Sequence, residues 1–291
     1  MMGWSFYILF LTYSHSLESL PTSGDGESCS DGNPELNLME DSAAFYFTRD
    51  DDAAIKCLQK ELEKDPEFER LWNLGRANWT LKNLPVPKGL REEHMIAVTG
   101  FTMNSNLYRR LNTGVKNYGD IDTYNSHFKL KSFHYLLTIA LINLRKGSRH
   151  LTVYRGEKIP LSGRKDTEMR FGRFASTSHN QKVAEGFGKA TFFVVTTSYG
   201  VTIRDYSVNR SQEEVLIPPY EKFKITKFTQ LQGGGCNFTL QSTDYQGVKV
   251  MLQENCTLTP WKMPWWGWFL ITVAIVAVLV IAGVLCRCCC S

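Results

Sequence analysis

The hydrophobic pattern of this chain changes period once, near Leu151, and that change limits it to helices first and strands second. From about Asp50 to Gly147, apolar residues recur at helical steps: Ile55, Leu58 and Leu62 form one short amphipathic face, and Phe68, Leu71 and Trp72 start another. The clearest helix is predicted over residues 128–145, where Phe133, Leu136, Leu137, Ala140, Leu141 and Leu144 make a core-facing stripe. After Leu151 come short β-branched and aromatic runs broken by Gly, Asn and Pro. They predict strands over 151–155, 171–177, 191–197, 201–204, 214–217, 222–229, 237–242 and 248–252. Segregated helices and strands mean an α+β fold rather than alternating βαβ units. No self-similar period marks a solenoid or propeller.

Both ends of the chain are apolar. Residues 1–17 read as a secretory signal peptide, although they lack a positively charged start, and residues 18–49 as a leader rich in Ser, Gly, Pro and Asp. Residues 265–285 are uncharged and, at ~1.5 Å per residue, reach about 30 Å, the thickness of a bilayer's hydrocarbon core. Trp265, Trp266 and Trp268 sit at the outer edge of that run, and Cys286, Arg287, Cys288, Cys289 and Cys290 follow it. The pattern predicts a single-pass type I transmembrane helix with residues 286–291 as a cytoplasmic tail; the alternative is a tail removed in exchange for a GPI lipid. Either way the folded part, residues 50–259, is expected outside the cell or in the lumen, attached to a lipid bilayer.

The remaining cysteines suit that compartment. Of 8 in the chain, 4 cluster at the terminus, leaving Cys29, Cys57, Cys236 and Cys256 for two disulfides whose pairing spacing alone does not decide. Glycosylation sequons at Asn78, Asn209, Asn237 and Asn255 fit a secreted domain. The 6 histidines are scattered and no HExxH or paired CxxC exists, so no metal site is expected. Lys and Arg total 33 against 29 Asp and Glu, a net +4 with no basic run, which gives no support for a nucleic-acid partner.

Common nucleotide and hydrolase motifs fail residue by residue. Around Gly186-Phe187-Gly188-Lys189, a P-loop would need Gly at Val183 and Ser or Thr at Ala190, and GxGxxG fails at Thr191. No GxSxG elbow or kinase signature set is present. One ordered triplet remains on the β half. Val153-Tyr154-Arg155-Gly156 ends a strand, Phe171-Gly172-Arg173-Phe174-Ala175-Ser176-Thr177-Ser178 follows, and Ser211-Gln212-Glu213-Glu214 runs into Val215-Leu216-Ile217-Pro218-Pro219.

At these residues the chain closely resembles the vertebrate ecto-mono-ADP-ribosyltransferase family, the arginine-specific kind related to several bacterial toxins. Its signature is Arg, Ser and Glu in that order, and the resemblance runs from about Asp50 to Thr257. It implies a mixed β-sandwich core with the NAD cleft between sheets and a helical subdomain to one side. It implies transfer of ADP-ribose from NAD (or NADP) to an arginine of an extracellular or lumenal protein, with release of nicotinamide and no metal. Catalysis would rest on Arg155, Ser176 and Glu214: Arg155 for the NAD phosphates, Ser176 to orient, Glu214 to stabilise the positive charge that develops on the ribose. NAD would be bound by Tyr154, Arg155, Gly156, Ser176, Phe187 and Gln212.

Two departures from the family pattern matter. Gln212 stands where the active pattern has Glu, and an amide can hydrogen-bond but cannot act as a general base. The alternatives are therefore an NAD glycohydrolase, in which water replaces arginine, or a catalytically silent receptor or adhesion ectodomain, which the intact triplet argues against. A glycan on Asn209 would crowd the acceptor side, so that sequon is expected to be empty if transfer occurs, leaving Asn78, Asn237 and Asn255. The second departure is a missing family bridge: Arg149, His150 and Ser198 occupy its neighbourhoods. The family's other bridge maps to Cys57–Cys256, and Cys29–Cys236 is the leftover pair.

Overall fold

A computed structural model of the chain describes residues 28–29, 32–145, 147, 150–231, 235–262, 275 and 278. Two short strands, β1 (Ser28–Cys29) and β2 (Phe45–Phe47), precede six helices: α1 (Asp51–Lys64), α2 (Pro66–Lys82), α3 (Glu92–Phe101), α4 (Leu107–Asn117), α5 (Ile121–His127) and α6 (Lys131–Leu144). The β half follows with β3 (Leu151–Glu157), β4 (Gly163–Arg164), β5 (Glu168–Met169), β6 (Ala175–Ser178), a short helix α7 (Gln181–Glu185), β7 (Thr191–Thr197) and β8 (Val201–Thr202). It ends with β9 (Glu214–Ile217), β10 (Glu221–Gln230), β11 (Cys236–Tyr245), β12 (Val248–Leu252) and β13 (Leu258–Pro260).

Local chemistry sets the helix boundaries. The Asp50 side chain accepts from the Ala53 amide at 3.0 Å and starts α1. Asp65 accepts from Phe68 N–H at 2.9 Å and starts α2, with Pro66 at its first turn where a missing N–H costs nothing. Helix α6 has no cap of its own. Glu61 of α1 supplies it, accepting from the Lys131 amide at 2.9 Å, the Ser132 amide at 3.1 Å and the Ser132 hydroxyl at 2.5 Å. Residues Lys131 to Leu141 are all buried, so α6 is a central core helix rather than the one-sided stripe its sequence predicts.

Eight strands form one mixed sheet in the order β5-β10-β11-β7-β3-β6-β9-β8. Its two halves meet at a single residue pair, Tyr154 of β3 opposite Ser178 of β6. The hydrogen-bonded order thus runs through one sheet in two halves, β5-β10-β11-β7-β3 and β6-β9-β8, which are joined only at this seam and contribute to a shared apolar core. One apolar core joins the helices to β2, β9, β12 and Phe174; a second lies on the other sheet face around Val153, Phe193, Val215, Ile217 and Phe238.

Two further expectations change. The strand predicted over 171–177 begins only at Ala175, because Gly172 adopts a left-handed φ of 62° and turns the chain; an added Cβ there would lie 2.7 Å from the Cβ of Met39. The leader predicted to reach residue 49 is not loose at its end: Phe45 and Phe47 are buried, and β2 pairs in parallel with β12. Nearly all of α3 is buried, which erases the one-sided pattern that would have announced it. Among the described residues, no helix is long and apolar enough to cross a membrane. The signal-peptide run, the tail and all but two residues of the 265–285 run lie outside the described residues.

Candidate active site

A cleft of about 1000 Å³ opens at the seam of the sheet. One wall is β3 and β6; the other comes from the α3–α4 region, including Met103, Tyr108, Asn112 and Lys116. The segment before β9 closes one end with Val208, Asn209 and Gln212. Tyr154, Arg155, Gly156, Ser176, Phe187, Gln212 and Glu214, all singled out from the sequence, line this one cleft. Phe187 is an exposed aromatic on its rim, 52% accessible.

The backbone of β3 is held close to the loop after α7. A Cβ on Gly156 would lie 2.2 Å from the Gly188 carbonyl oxygen, and one on Gly188 would lie 2.3 Å from the Glu157 carbonyl carbon. The glycine of the Tyr-Arg-Gly run is thus required by close packing, as is the Gly188 that fails every nucleotide-loop motif. Arg155 leaves this strand and is fixed by three bonds. Its Nε and Nη2 donate to Glu157 Oε1 at 3.0 and 2.5 Å, and its Nη1 donates to the Ser176 carbonyl at 2.6 Å. Arg173 Nη2 donates to the same Glu157 oxygen at 3.3 Å.

Glu214 begins β9 and is only 5% exposed. Burial pushes its carboxyl pKa above the ordinary value, while hydrogen bonds from the Ser176 and Ser207 hydroxyls pull it back. Ser207 Oγ lies 3.3 Å from Glu214 Oε2 and is itself fully buried. Its segment is tied to the helices: Lys82 Nζ donates to the Ser207 carbonyl at 2.6 Å, Thr99 Oγ1 to the Tyr206 carbonyl at 3.1 Å, and the Val208 amide to Thr102 Oγ1 at 2.9 Å. Between the segment and β9, Glu213 takes a left-handed φ of 46°. That turn is stapled to β6 by Ser178 Oγ donating to the Gln212 carbonyl at 2.7 Å and His179 N–H to the Glu213 carbonyl at 3.1 Å.

Three residues at the site escaped sequence reasoning. Glu157 was visible in principle, since it lies two residues from Arg155 on the same face of a strand. Arg173 stood inside the quoted run with nothing to mark it out. Ser207 reaches Glu214 only through the turn geometry. Both disulfides, Cys29–Cys236 and Cys57–Cys256, are formed. The one grouping of metal-type ligands among the described residues, Cys57, Glu61 and Cys256, is a disulfide beside the carboxylate that caps α6. Of the sequons, Asn255 is exposed, and its Oδ1 accepts from Thr257 Oγ1 at 2.7 Å. Asn78 is half-buried, with Nδ2 donating to the Leu74 carbonyl at 2.8 Å, and Asn237 is half-buried between β10 and β7. Asn209 lines the cleft, where a glycan would obstruct it.

Comparison with known proteins points one way. A family profile described as NAD:arginine ADP-ribosyltransferase matches residues 46–247. The chain is 38% identical over 218 residues to NAD(P)(+)–arginine ADP-ribosyltransferase 2 of Gallus gallus, covering 73% of this chain and 67% of that relative. It is 35% identical over 216 residues to GPI-linked NAD(P)(+)–arginine ADP-ribosyltransferase 1 of Homo sapiens, covering 72% and 63%. The chain thus spans about two thirds of the length of the curated relatives it matches. Among solved structures, the eukaryotic mono-ADP-ribosyltransferase ART2.2 superposes with a TM-score of 0.64 at 27% identity, covering 73% of this chain and 96% of that one. A variant of ART2.2 has been solved in complex with NAD, and it matches with a TM-score of 0.63 at 26% identity over the same 73% and 96%.

Proposed function

This chain belongs to the NAD:arginine ADP-ribosyltransferase family, and on that premise we propose that it transfers a single ADP-ribose from NAD to an arginine of an extracellular or lumenal protein. The observation that carries this reading is the convergence of Arg155, Ser176 and buried Glu214 on one cleft. Breaking the bond between nicotinamide and ribose leaves positive charge on the sugar. A carboxylate withdrawn from water, as Glu214 is, interacts with such a charge more strongly than an exposed one, provided it is ionised. Its hydroxyl partners favour that ionised form. Arg155 presents a planar fork for the dinucleotide's phosphates, already oriented by Glu157 and the Ser176 carbonyl. The rim aromatic Phe187 offers a face for a heteroaromatic ring.

Gln212 favours a second reading, NAD glycohydrolysis. It lines the cleft where a carboxylate would draw an incoming arginine. The curated relative named GPI-linked supports a lipid-anchored ectoenzyme over a retained membrane span, and exposed Asn255 supports glycosylation.

The test is to incubate the protein with NAD and agmatine, and to quantify nicotinamide, free ADP-ribose and modified agmatine together. Nicotinamide matched by modified agmatine is the expected result, with Glu214→Ala abolishing both. Free ADP-ribose alone, converted to agmatine modification by Gln212→Glu, would establish the glycohydrolase instead. No nicotinamide above the Glu214→Ala level would leave a silent ectodomain.

A further inference from the structure

We propose that Arg173 is a second positioning residue for the dinucleotide's diphosphate, held beside Arg155 by the shared carboxylate of Glu157. This rests on the reading of the cleft as an NAD site, and it goes beyond the Arg–Ser–Glu triplet.

The charges in this part of the cleft do not balance. Glu157 Oε1 accepts from Arg155 Nε at 3.0 Å, from Arg155 Nη2 at 2.5 Å and from Arg173 Nη2 at 3.3 Å. Two guanidiniums thus share one carboxylate. Arg155 also donates to the Ser176 carbonyl, whereas the Nε and Nη1 of Arg173 have no hydrogen-bond partner among the described residues. Both arginines line the cleft. The Arg173 side chain is only 37% exposed, and burial together with the neighbouring Arg155 charge makes its protonated form harder to hold. A cation kept there with unused donors and incomplete compensation is arranged for an anion from outside. A diphosphate, with one negative charge on each phosphate, supplies that charge and matches two adjacent forks.

The backbone around Arg173 is fixed independently of Glu157. On one side Gly172 turns the chain with its left-handed φ of 62°. On the other, Asn112 of α4 clasps Phe174, its Nδ2 donating to the Phe174 carbonyl at 3.0 Å and its Oδ1 accepting from the Phe174 amide at 3.1 Å. The guanidinium is therefore aimed by the helical wall, and Glu157 sets its register with Arg155. Binding of this kind acts on the ground state and on the transition state alike, so it appears in KM rather than in kcat.

The experiment uses the full chain and three readouts: steady-state NAD cleavage, the Kd for ADP-ribose by calorimetry, and inhibition by nicotinamide, which has no phosphate. Arg173→Gln is expected to raise the KM for NAD and the Kd for ADP-ribose about tenfold each, the loss of one charge-assisted contact. It is expected to leave kcat within about twofold, and nicotinamide inhibition and the unfolding midpoint unchanged. Arg173→Lys keeps the charge without the fork and is expected to lie between, at about threefold; it is read alone if the Gln variant fails to fold. Unchanged KM and ADP-ribose affinity in both variants would overturn the proposal. So would a fall in kcat at constant KM, or an equal weakening of nicotinamide, which marks general distortion. A wild-type chain that neither cleaves NAD nor binds ADP-ribose would remove the parent reading with it, whereas a binding wild type with indifferent variants would remove the role of Arg173 alone.

Discussion

Burial and hydrogen bonding oppose each other at Glu214, and the balance decides when that carboxylate is charged. Its pKa is raised by desolvation and lowered again by Ser176 and Ser207. On the role proposed for Glu214, activity requires the ionised form and is expected to be lost as pH falls through the folded-state pKa, at a pH above that of an ordinary glutamate. Ser207→Ala removes one donor to the charged form and raises that pKa further. The acid limb of the kcat/KM profile is then expected to move to higher pH, and kcat to fall by about 5- to 30-fold, corresponding to a lost hydrogen bond to a charged group. The KM for NAD should change little. An acid limb that does not move would show that Ser207 only packs. No sequence pattern marks Ser207, because the contact depends on a non-glycine residue, Glu213, accepting a left-handed backbone at the turn.

At the scale of elements, the helical half is organised around α6, and its start depends on a residue of another helix. Burial raises the Glu61 pKa to about 7, despite hydrogen bonds from Lys131 and Ser132. The folded protein therefore binds a proton there that the unfolded chain, with a pKa near 4.5, has released. This contribution to stability is fully present below pH 4.5 and is lost as pH rises through about 7. Glu61→Gln keeps an acceptor for the α6 amides without the titration. Relative to that variant, the wild type is expected to lose on the order of 2 kcal/mol of unfolding free energy between pH 5 and pH 8, by urea denaturation. A gap that stays constant with pH would rule the proton out. The existence of α6 was legible from its apolar spacing, but its burial on every side was not, since a periodic pattern shows which residues are apolar and not how many neighbours surround them.

Two disulfides close the whole molecule on itself. Cys29–Cys236 ties the amino-terminal segment to β11, and Cys57–Cys256 ties α1 to the segment after β12, across 207 and 199 residues of chain. Replacing either pair by serine is expected to lower the unfolding free energy by ~2–4 kcal/mol, and replacing both by more than either alone. Urea titrations of the three variants measure this, and an unaltered midpoint in either single-pair variant would contradict it. Strands β7, β9 and β12 begin and end where the sequence predicts, because each is an apolar run bounded by polar turn residues, and both are local properties. The order of Arg155, Ser176 and Glu214 was legible through the family resemblance, because the motifs that carry it are short runs of consecutive residues. Only the tertiary structure decided that one sheet parts at the Tyr154–Ser178 pair to form the cleft and that helices make its far wall. It alone brought Arg173 and Ser207 to the triplet. The contacts that hold their segments against the helices, Asn112 on Phe174 and Lys82 on Ser207, join residues far apart in sequence, and they form only once the two cores have fixed how the helices lie on the strands.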